Sequence, residues 1–255
     1  MEQKLTFGET MIELHEIDST NNYAMYLINE GMAEHGMVVT SEYQSKGKGQ
    51  LGNIWTADKG KNLLCSVIVD TKGFELSDRF LLNCMTCVAV AELLMQDYNI
   101  PNVSIKWPND IYAGNKKIAG ILIENNLRGR QWIYAILGIG LNVNQTDFGK
   151  LKTATSIALE LDEEINLKDV MHKLLSRISV LFQHFQKDED AVWEDYNAYL
   201  MLKNEAIYFV KNQEKRKGIL LRVNKCGEIE IEMNGKPKQF KHKEIELLLN
   251  ESFDF

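Results

Sequence analysis

The chain has 255 residues, 45% hydrophobic and 25% charged, which suits a globular protein with one large domain or one domain and a small appendage. Its formal net charge of -7 argues against general nucleic-acid binding, which needs a basic face to displace counterions. No run approaches the roughly eighteen apolar residues of a membrane span, and no apolar leader segment opens the chain, so a cytoplasmic protein without a membrane partner is expected.

Residues 11–17 read as a short strand. Asp18, Ser19 and Thr20 offer helix N-cap chemistry, and 21–29 follow as a helix with Tyr23, Tyr26 and Leu27 on one face. A β-branched strand is expected over 37–43, then a glycine-rich loop, then a strand over 62–69. Ser77 can cap a long, almost wholly apolar helix that reaches about residue 98 and packs against a sheet. Cys84 and Cys87 fall inside it with no second Cys or His pair nearby, so they read as buried structural thiols rather than a metal or redox site, and no disulfides are expected. Short strands over 103–107 and 111–112 flank a Pro-Asn-Asp turn. Two long strands, 117–124 and 132–143, are joined by a polar connection over 125–130. From 165 to 202 the pattern is helical, with Val170, Leu174, Leu175, Ile178, Leu181, Phe182 and Phe185 at helical spacing. Beyond Lys203, short alternating runs at 206–210, 218–223, 228–233 and 238–240 suggest a small barrel of about fifty residues.

Two segments concentrate the polar chemistry. The first runs from Ser45 to Trp55. Gly47, Gly49 and Gly52 let amides approach a ligand, and Lys46 and Lys48 add charge where no acid stands between Glu42 and Asp58. The spacing matches neither a Walker loop nor a dinucleotide fingerprint. Taken alone, the loop reads equally well as a solvated surface loop.

The second segment is Lys106-Trp107-Pro108-Asn109-Asp110, followed by the run from Lys116 to Glu124. The residue before a proline is held extended, so Asn109 and Asp110 occupy a tight turn. Asp110 then projects at a strand end, where it can hold a metal ion or accept a hydrogen bond, or serve only the backbone. Lys117 opens the next strand beside the small Ala119 and Gly120. It is placed to neutralise a carboxylate or an α-phosphate, or merely to guard a strand edge, a role that fits Lys116 better. Gly138, Gly140, Asn142 and Asn144 alternate along one strand, either as the floor for a flat ring or as close packing under a helix. The five histidines show no ligand spacing, and no nucleophile elbow is present. A mobile cationic loop facing a rigid hairpin with an acid and a lysine suits activation of a carboxylate by a nucleotide.

In chain order, Asp18-Ser19-Thr20-Asn21, Gln44 with the loop to Trp55, the 106–110 run, the 117–124 run and the 138–144 run resemble the successive motifs of bacterial biotin–protein ligases. Each motif alone is weak; five in order over about residues 11–145 are specific. The resemblance implies an α+β fold: a mixed sheet packed with helices, the class II synthetase-like catalytic fold, over 1–202, then a small SH3-like barrel over 203–255. It implies a two-step reaction in which biotin and MgATP give biotinoyl-5′-AMP and pyrophosphate, and a lysine of a biotin carboxyl carrier protein then takes the biotinyl group. Ser19, Thr20, Asn21 and Gln44 would hold biotin, with Gly47 and Lys48 closing over it and Gly120 and Leu122 lining its pocket. Lys117, Lys48 and Asp110 would be catalytic, with Lys117 also binding biotin through its carboxylate and Asp110 holding magnesium or orienting the carrier lysine. Lys46, Lys48, Gln50, Trp55, Asn109, Lys117 and Asn142 would meet ATP and the adenylate. The family also admits a homodimer through the sheet edge.

Two departures stand out. The family loop is commonly Gly-Arg-Gly-Arg-Arg-Gly, whereas this chain has Gly47-Lys48-Gly49-Gln50-Leu51-Gly52. Lys48 keeps a charge without the planar fork of arginine, and Gln50 keeps hydrogen bonding without charge, so Lys46 is expected to compensate in part. Only about ten residues precede the first strand, too few for the helix-turn-helix domain that some members carry, so no operator DNA binding is expected. A lipoate ligase shares this architecture, but the Lys-Trp-Pro-Asn-Asp run favours biotin. A non-catalytic biotin sensor would suit a site lacking the lysine or the acid, and both are present.

Overall fold

A computed structural model of the protein describes residues 7–248. Seven strands form the main sheet: β1 (Met11–Leu14), β2 (Val38–Ser41), β3 (Leu63–Asp70), β4 (Val103–Lys106), β5 (Asp110–Ala113), β6 (Lys116–Arg128) and β7 (Gln131–Leu141), in the order β1-β2-β3-β7-β6-β5-β4. β1 and β2 pair in parallel, joined by the crossover helix α1 (Thr20–Asn29), and every other pairing in this sheet is antiparallel.

Strand alternation sorts the sheet's two faces. Val39, Ile68 and Ile136 point to one face, where Ala24, Leu27 and Ile28 of α1 cover them. Val38, Val67, Val69, Ala135 and Leu137 point to the other face, into the main core. That core contains α2 (Arg79–Glu92), α4 (Leu167–Lys187) and α5 (Glu189–Ala198). A short helix, α3 (Ile157–Leu161), lies between.

α2 is buried at every residue from Leu81 to Ala91, because the sheet covers one side and α4 and α5 the other. A single π-helical turn, Leu93–Asp97, extends it. By length and composition alone the segment Leu76–Asp97 could cross a membrane, a point that a search for one unbroken apolar run misses; its burial inside the fold accounts for that composition. Its start also differs from expectation. Ser77 does not cap it; Glu75 and Asp78 form a reciprocal capping box around a preceding 3₁₀ turn, and the Ser77 hydroxyl only donates to Asp78.

The expected helical stretch over 165–202 is two helices. Asp188, in an extended conformation, ends α4, and its carboxylate accepts from the amides of Asp190 and Ala191 to start α5. The expected polar connection over 125–130 is mostly strand. Residues 125–128 stay paired with β7 and only Gly129 and Arg130 turn, with Gly129 at φ +62°. Polar side chains do not oppose the ladder, because its hydrogen bonds are made by the backbone.

Five antiparallel strands make a second sheet: β8 (Ala206–Lys211), β9 (Glu214–Val223), β10 (Ile229–Met233), β11 (Lys236–Phe240) and β12 (Glu246–Leu248), ordered β11-β10-β9-β8-β12. Asn212-Gln213 and Asn234-Gly235 both take positive φ, as two-residue hairpin turns require. Ile207, Phe209, Leu220, Val223, Ile229, Ile231 and Phe240 fill the interior, an arrangement consistent with an SH3-like domain.

Candidate active site

A cavity of about 670 Å³ opens on the α1 face of the main sheet. The cause is local. Gly120 pairs with Gly140 and Leu122 with Gly138, so the surface that Ile136 and Ile68 fill under α1 is nearly bare one end further along. The Asn21 amide lies over Gly138, where an added Cβ would stand 2.4 Å from Asn21 Oδ1. The Trp55 indole lies over Gly140, where an added Cβ would stand 2.5 Å from Cε2. Among the described residues, Trp55 Nε1 is buried with no hydrogen-bond partner.

One end of the cavity is neutral and polar. The N-terminus of α1 delivers Ser19, Thr20 and Asn21 there, with Ser19 in the N-cap position but making no side-chain cap bond. The Thr20 amide and hydroxyl donate to Gln44 Oε1 at 2.7 and 3.1 Å. The buried Ser66 hydroxyl donates to Asn21 Oδ1 at 2.6 Å and lies 2.8 Å from Thr20 Oγ1. Asn21 Nδ2 in turn donates to Glu124 Oε2 at 2.8 Å.

The glycine loop folds as a short hairpin over this floor. The Trp55 amide donates to the Gly47 carbonyl, Gly49 to Asn53, and Lys48 bridges Ile54. A Cβ at Gly47 would stand 2.3 Å from the Trp55 carbonyl oxygen, so the residue type is required by close approach. Lys48 Nζ reaches Glu124 Oε1 at 3.1 Å.

The other end is charged. Lys117 Nζ meets Asp110 Oδ1 at 2.6 Å and lies 5.6 Å from the centroid of the Trp55 ring. Lys106, at the end of β4, also lines the cavity; burial lowers its pKa, against the pull of Asp110. The connection between β11 and β12 closes this end with His242, Lys243 and Glu244, and Glu246 at the start of β12 stands beside them. His242 stands edge-on to Trp107 at 5.4 Å, and burial first, then Lys243, lowers its pKa. The Trp107–Pro108 peptide is cis.

Thus Ser19, Thr20, Asn21, Gln44, Lys48, Gln50, Trp55, Asn109, Asp110, Lys117, Gly120 and Leu122 share one cavity. Three expected residues lie elsewhere. Lys46 is exposed at the start of the loop, its amide donating to the Asp18 carbonyl. Gly47 is buried beneath the Trp55 carbonyl, outside the cavity wall. Asn142 is buried and donates its side-chain amide to the Thr155 carbonyl at 2.9 Å, away from the lining. No group of three or more His, Cys, Asp or Glu side chains arranged to hold a metal ion occurs among the described residues.

Sequence reasoning passed over Ser66, Glu124 and Lys106 as functional positions. A serine within the apolar 63–69 run was a usable signal for Ser66, and Glu124 shares strand parity with Gly120 and Leu122. The wall over 242–247 had no local signal.

A profile of the biotin/lipoate A/B protein ligase family matches residues 14–142, half of the chain. The bifunctional ligase/repressor BirA of Bacillus subtilis is 30% identical over 197 residues, which is 74% of this chain and 60% of that protein. BirA of Escherichia coli is 26% identical over 250 residues, covering 94% and 74%. The chain thus spans about 60% of the length of the first of these curated relatives. Among solved structures, the biotin protein ligase of Aquifex aeolicus in complex with biotin and ATP superposes with a TM-score of 0.78 at 28% identity, covering 94% of this chain and 99% of that one. The matched stretch carries the α1 cap, the glycine loop, the Asp110 turn and the β6–β7 floor, and on that basis the chain belongs to the biotin/lipoate A/B protein ligase family.

Proposed function

We propose that the protein is an ATP-dependent biotin–protein ligase. The observation that carries this reading is a single cavity with a neutral hydrogen-bonding end at Thr20 and Gln44, and an Asp110–Lys117 pair at the other. A ureido group is neutral and makes several hydrogen bonds, as the first end asks; a carboxylate approaching a phosphate needs cations, as the second supplies.

In the first step a biotin carboxylate oxygen attacks the α-phosphorus of ATP, an acyl–phosphate bond forms, and pyrophosphate leaves. Lys117 offsets the charge that builds on the α-phosphoryl oxygens, and Lys48 of the loop, held on Glu124, adds a second cation to the same cavity. Asp110, whose Oδ1 is on Lys117, would be the carboxylate that holds magnesium against the phosphate oxygens, and the ion would offset part of their charge. Trp55 shields the mixed anhydride from water, and its unpaired Nε1 offers a donor to the bound adenylate. In the second step the ε-amine of a lysine on a biotin carboxyl carrier protein attacks the acyl carbon, and AMP leaves. Residues 1–202 form the catalytic domain in this reading, and the strands from β8 onward the small domain that walls its charged end.

The test is mass spectrometry of a biotin carboxyl carrier domain incubated with the protein, MgATP and biotin, with lipoate in a parallel tube. One biotinyl mass is expected, dependent on MgATP. Lys117→Ala should slow it by about a hundredfold or more, the usual effect of removing a group that meets developing charge. A lipoyl gain alone would move the protein to the neighbouring substrate. No gain with biotin still bound tightly would make it a sensor.

A further inference from the structure

Three consecutive residues ahead of Asp110 are each tied to a different part of the fold. The Trp107 indole donates from Nε1 to the Gly227 carbonyl, between β9 and β10, at 3.0 Å. The Pro108 carbonyl accepts from Asn83 Nδ2 of α2 at 2.9 Å and from the Tyr196 hydroxyl of α5 at 3.0 Å. Asn109 exchanges bonds with Ile121 of β6: its side-chain amide donates to the Ile121 carbonyl, and its own carbonyl accepts from the Ile121 amide. Asp110 comes next, as the first residue of β5, with its carboxylate on Lys117.

The two helical ties are the unexpected ones. Asn83 sits in a helix that is otherwise nearly all apolar, and Tyr196 is among the largest fully buried side chains in the protein. An amide and a phenol in such an interior are costly unless each finds a partner. The other buried polar side chain on α2, Thr86, is satisfied by the Leu82 carbonyl of its own helix and asks nothing of the turn. Asn83 and Tyr196 instead reach across two helices to the same carbonyl oxygen. Burial pushes the Tyr196 hydroxyl well above its ordinary pKa, so it remains a donor throughout the physiological range.

We infer that Asn83 and Tyr196 are positioning residues for the transfer chemistry: by holding the Pro108 carbonyl they fix the 107–110 turn, and with it the Asp110 carboxylate, against Lys117. The inference rests on the ligase reading of the cavity. A cation that meets developing charge works only when held within a fraction of an ångström, and Asp110 is the anion that holds Lys117. The neutral end is built independently, from Thr20, Gln44, Asn21 and Ser66, whose bonds do not touch the turn. The two ends therefore separate in a kinetic experiment. Loosening the clamp slows adenylation and leaves affinity for the ureido-bearing substrate unchanged.

The experiment compares wild type, Tyr196→Phe, Asn83→Leu and the double variant in single-turnover adenylate formation, biotin titration and thermal melting, with a crystal structure of the double variant. Each single change leaves one donor on Pro108 and should slow adenylation about three- to tenfold, with the biotin dissociation constant within about twofold. The double change should exceed the product of the singles, because the carbonyl then has no donor. In its crystal structure the Asp110–Lys117 contact should open. A lower melting temperature with an unchanged adenylation rate would overturn the inference, as would a biotin affinity that falls in step with the rate. An intact Asp110–Lys117 contact in the double variant would overturn it too, whatever the wild type catalyses. If the wild type forms no adenylate with biotin or with lipoate while that contact opens, only the ligase reading is lost. Tyr196→Phe removes a single oxygen and keeps the test open should the double variant not fold.

Discussion

At the scale of single residues, three glycines keep the floor of the cavity bare. Gly120, Gly138 and Gly140 share one face of the sheet, and Trp55 and Asn21 rest on them. Gly140→Ala would drive a methyl group to within 2.5 Å of the Trp55 ring, so the ring must shift off the floor. Biotin affinity should weaken by roughly tenfold, about 1.4 kcal/mol, readable as a changed Trp fluorescence response on titration. An unchanged response and affinity would mean that Trp55 does not seal the site. His35 offers a second residue-scale outcome. Its ring packs 4.9 Å from Phe7 and 5.2 Å from Phe182, and Nδ1 accepts from the Asp70 amide. Burial lowers its pKa, with the Asp70 carboxylate opposing. The folded state therefore favours the neutral ring. The stabilisation is present above the unfolded value of about 6.5 and is lost as pH falls from there through the folded value. Melting temperature should fall more steeply between pH 7.5 and 5.5 in wild type than in His35→Leu; equal slopes would show that His35 carries no linkage.

At the scale of elements, periodicity and composition were good guides wherever packing is one-sided. In α4 every residue expected on the apolar face is buried, from Val170 through Phe185. Leu174 is fully buried there, so Leu174→Ala should cost about 2–5 kcal/mol. Each kcal/mol corresponds to roughly 2–4 °C of melting temperature for a domain of this size, and a loss under one degree would mean the site collapses without a cavity. Ends were harder to read. Ser77 looked like a cap, but Glu75 and Asp78 satisfy each other's amides first. Asp188 was hidden within a helical stretch because an acid is tolerated on an exposed face, whereas here its backbone is extended and its side chain starts α5. The 125–130 segment looked like a loop from its polarity, yet strand pairing is a backbone property and continues to Arg128.

At the scale of the whole molecule, the second sheet is joined to the first through α5. Asn197 donates to the Val223 carbonyl and accepts from the Val223 amide, while Trp193 Nε1 donates to the same carbonyl. Just beyond, the Ile105 amide donates to the Tyr199 carbonyl, fastening α5 to the edge strand β4. Asn197→Ala leaves a buried backbone amide without its acceptor and should cost about 1–3 kcal/mol. Hydrogen exchange should speed up over residues 206–248, and adenylation should slow as well, because His242 and Lys243 wall the charged end. Faster exchange with full activity would show that the wall is dispensable.

The motifs were legible because their chemistry is local. A glycine needed for close approach, a lysine beside a small strand pair, an acid after a proline turn and a polar helix start each leave a mark within a few residues, and their order along the chain carried the family. Strand parity was enough to put Gly138 and Gly140 on a bare stretch of strand, the small Ala119-Gly120 pair to mark Gly120, and the apolar run of α2 to put it in a core. The rest depended on distances across the chain. Asn142 has the right parity for the floor, but its amide turns to the Thr155 carbonyl at the sheet end. The 242–247 wall and the Asn83 and Tyr196 ties to Pro108 join segments more than twenty, and up to more than one hundred, residues apart. Such meetings follow from strand order and from how α2 and α5 dock, and side-chain periodicity encodes which face a residue takes, not which distant segment will come to meet it.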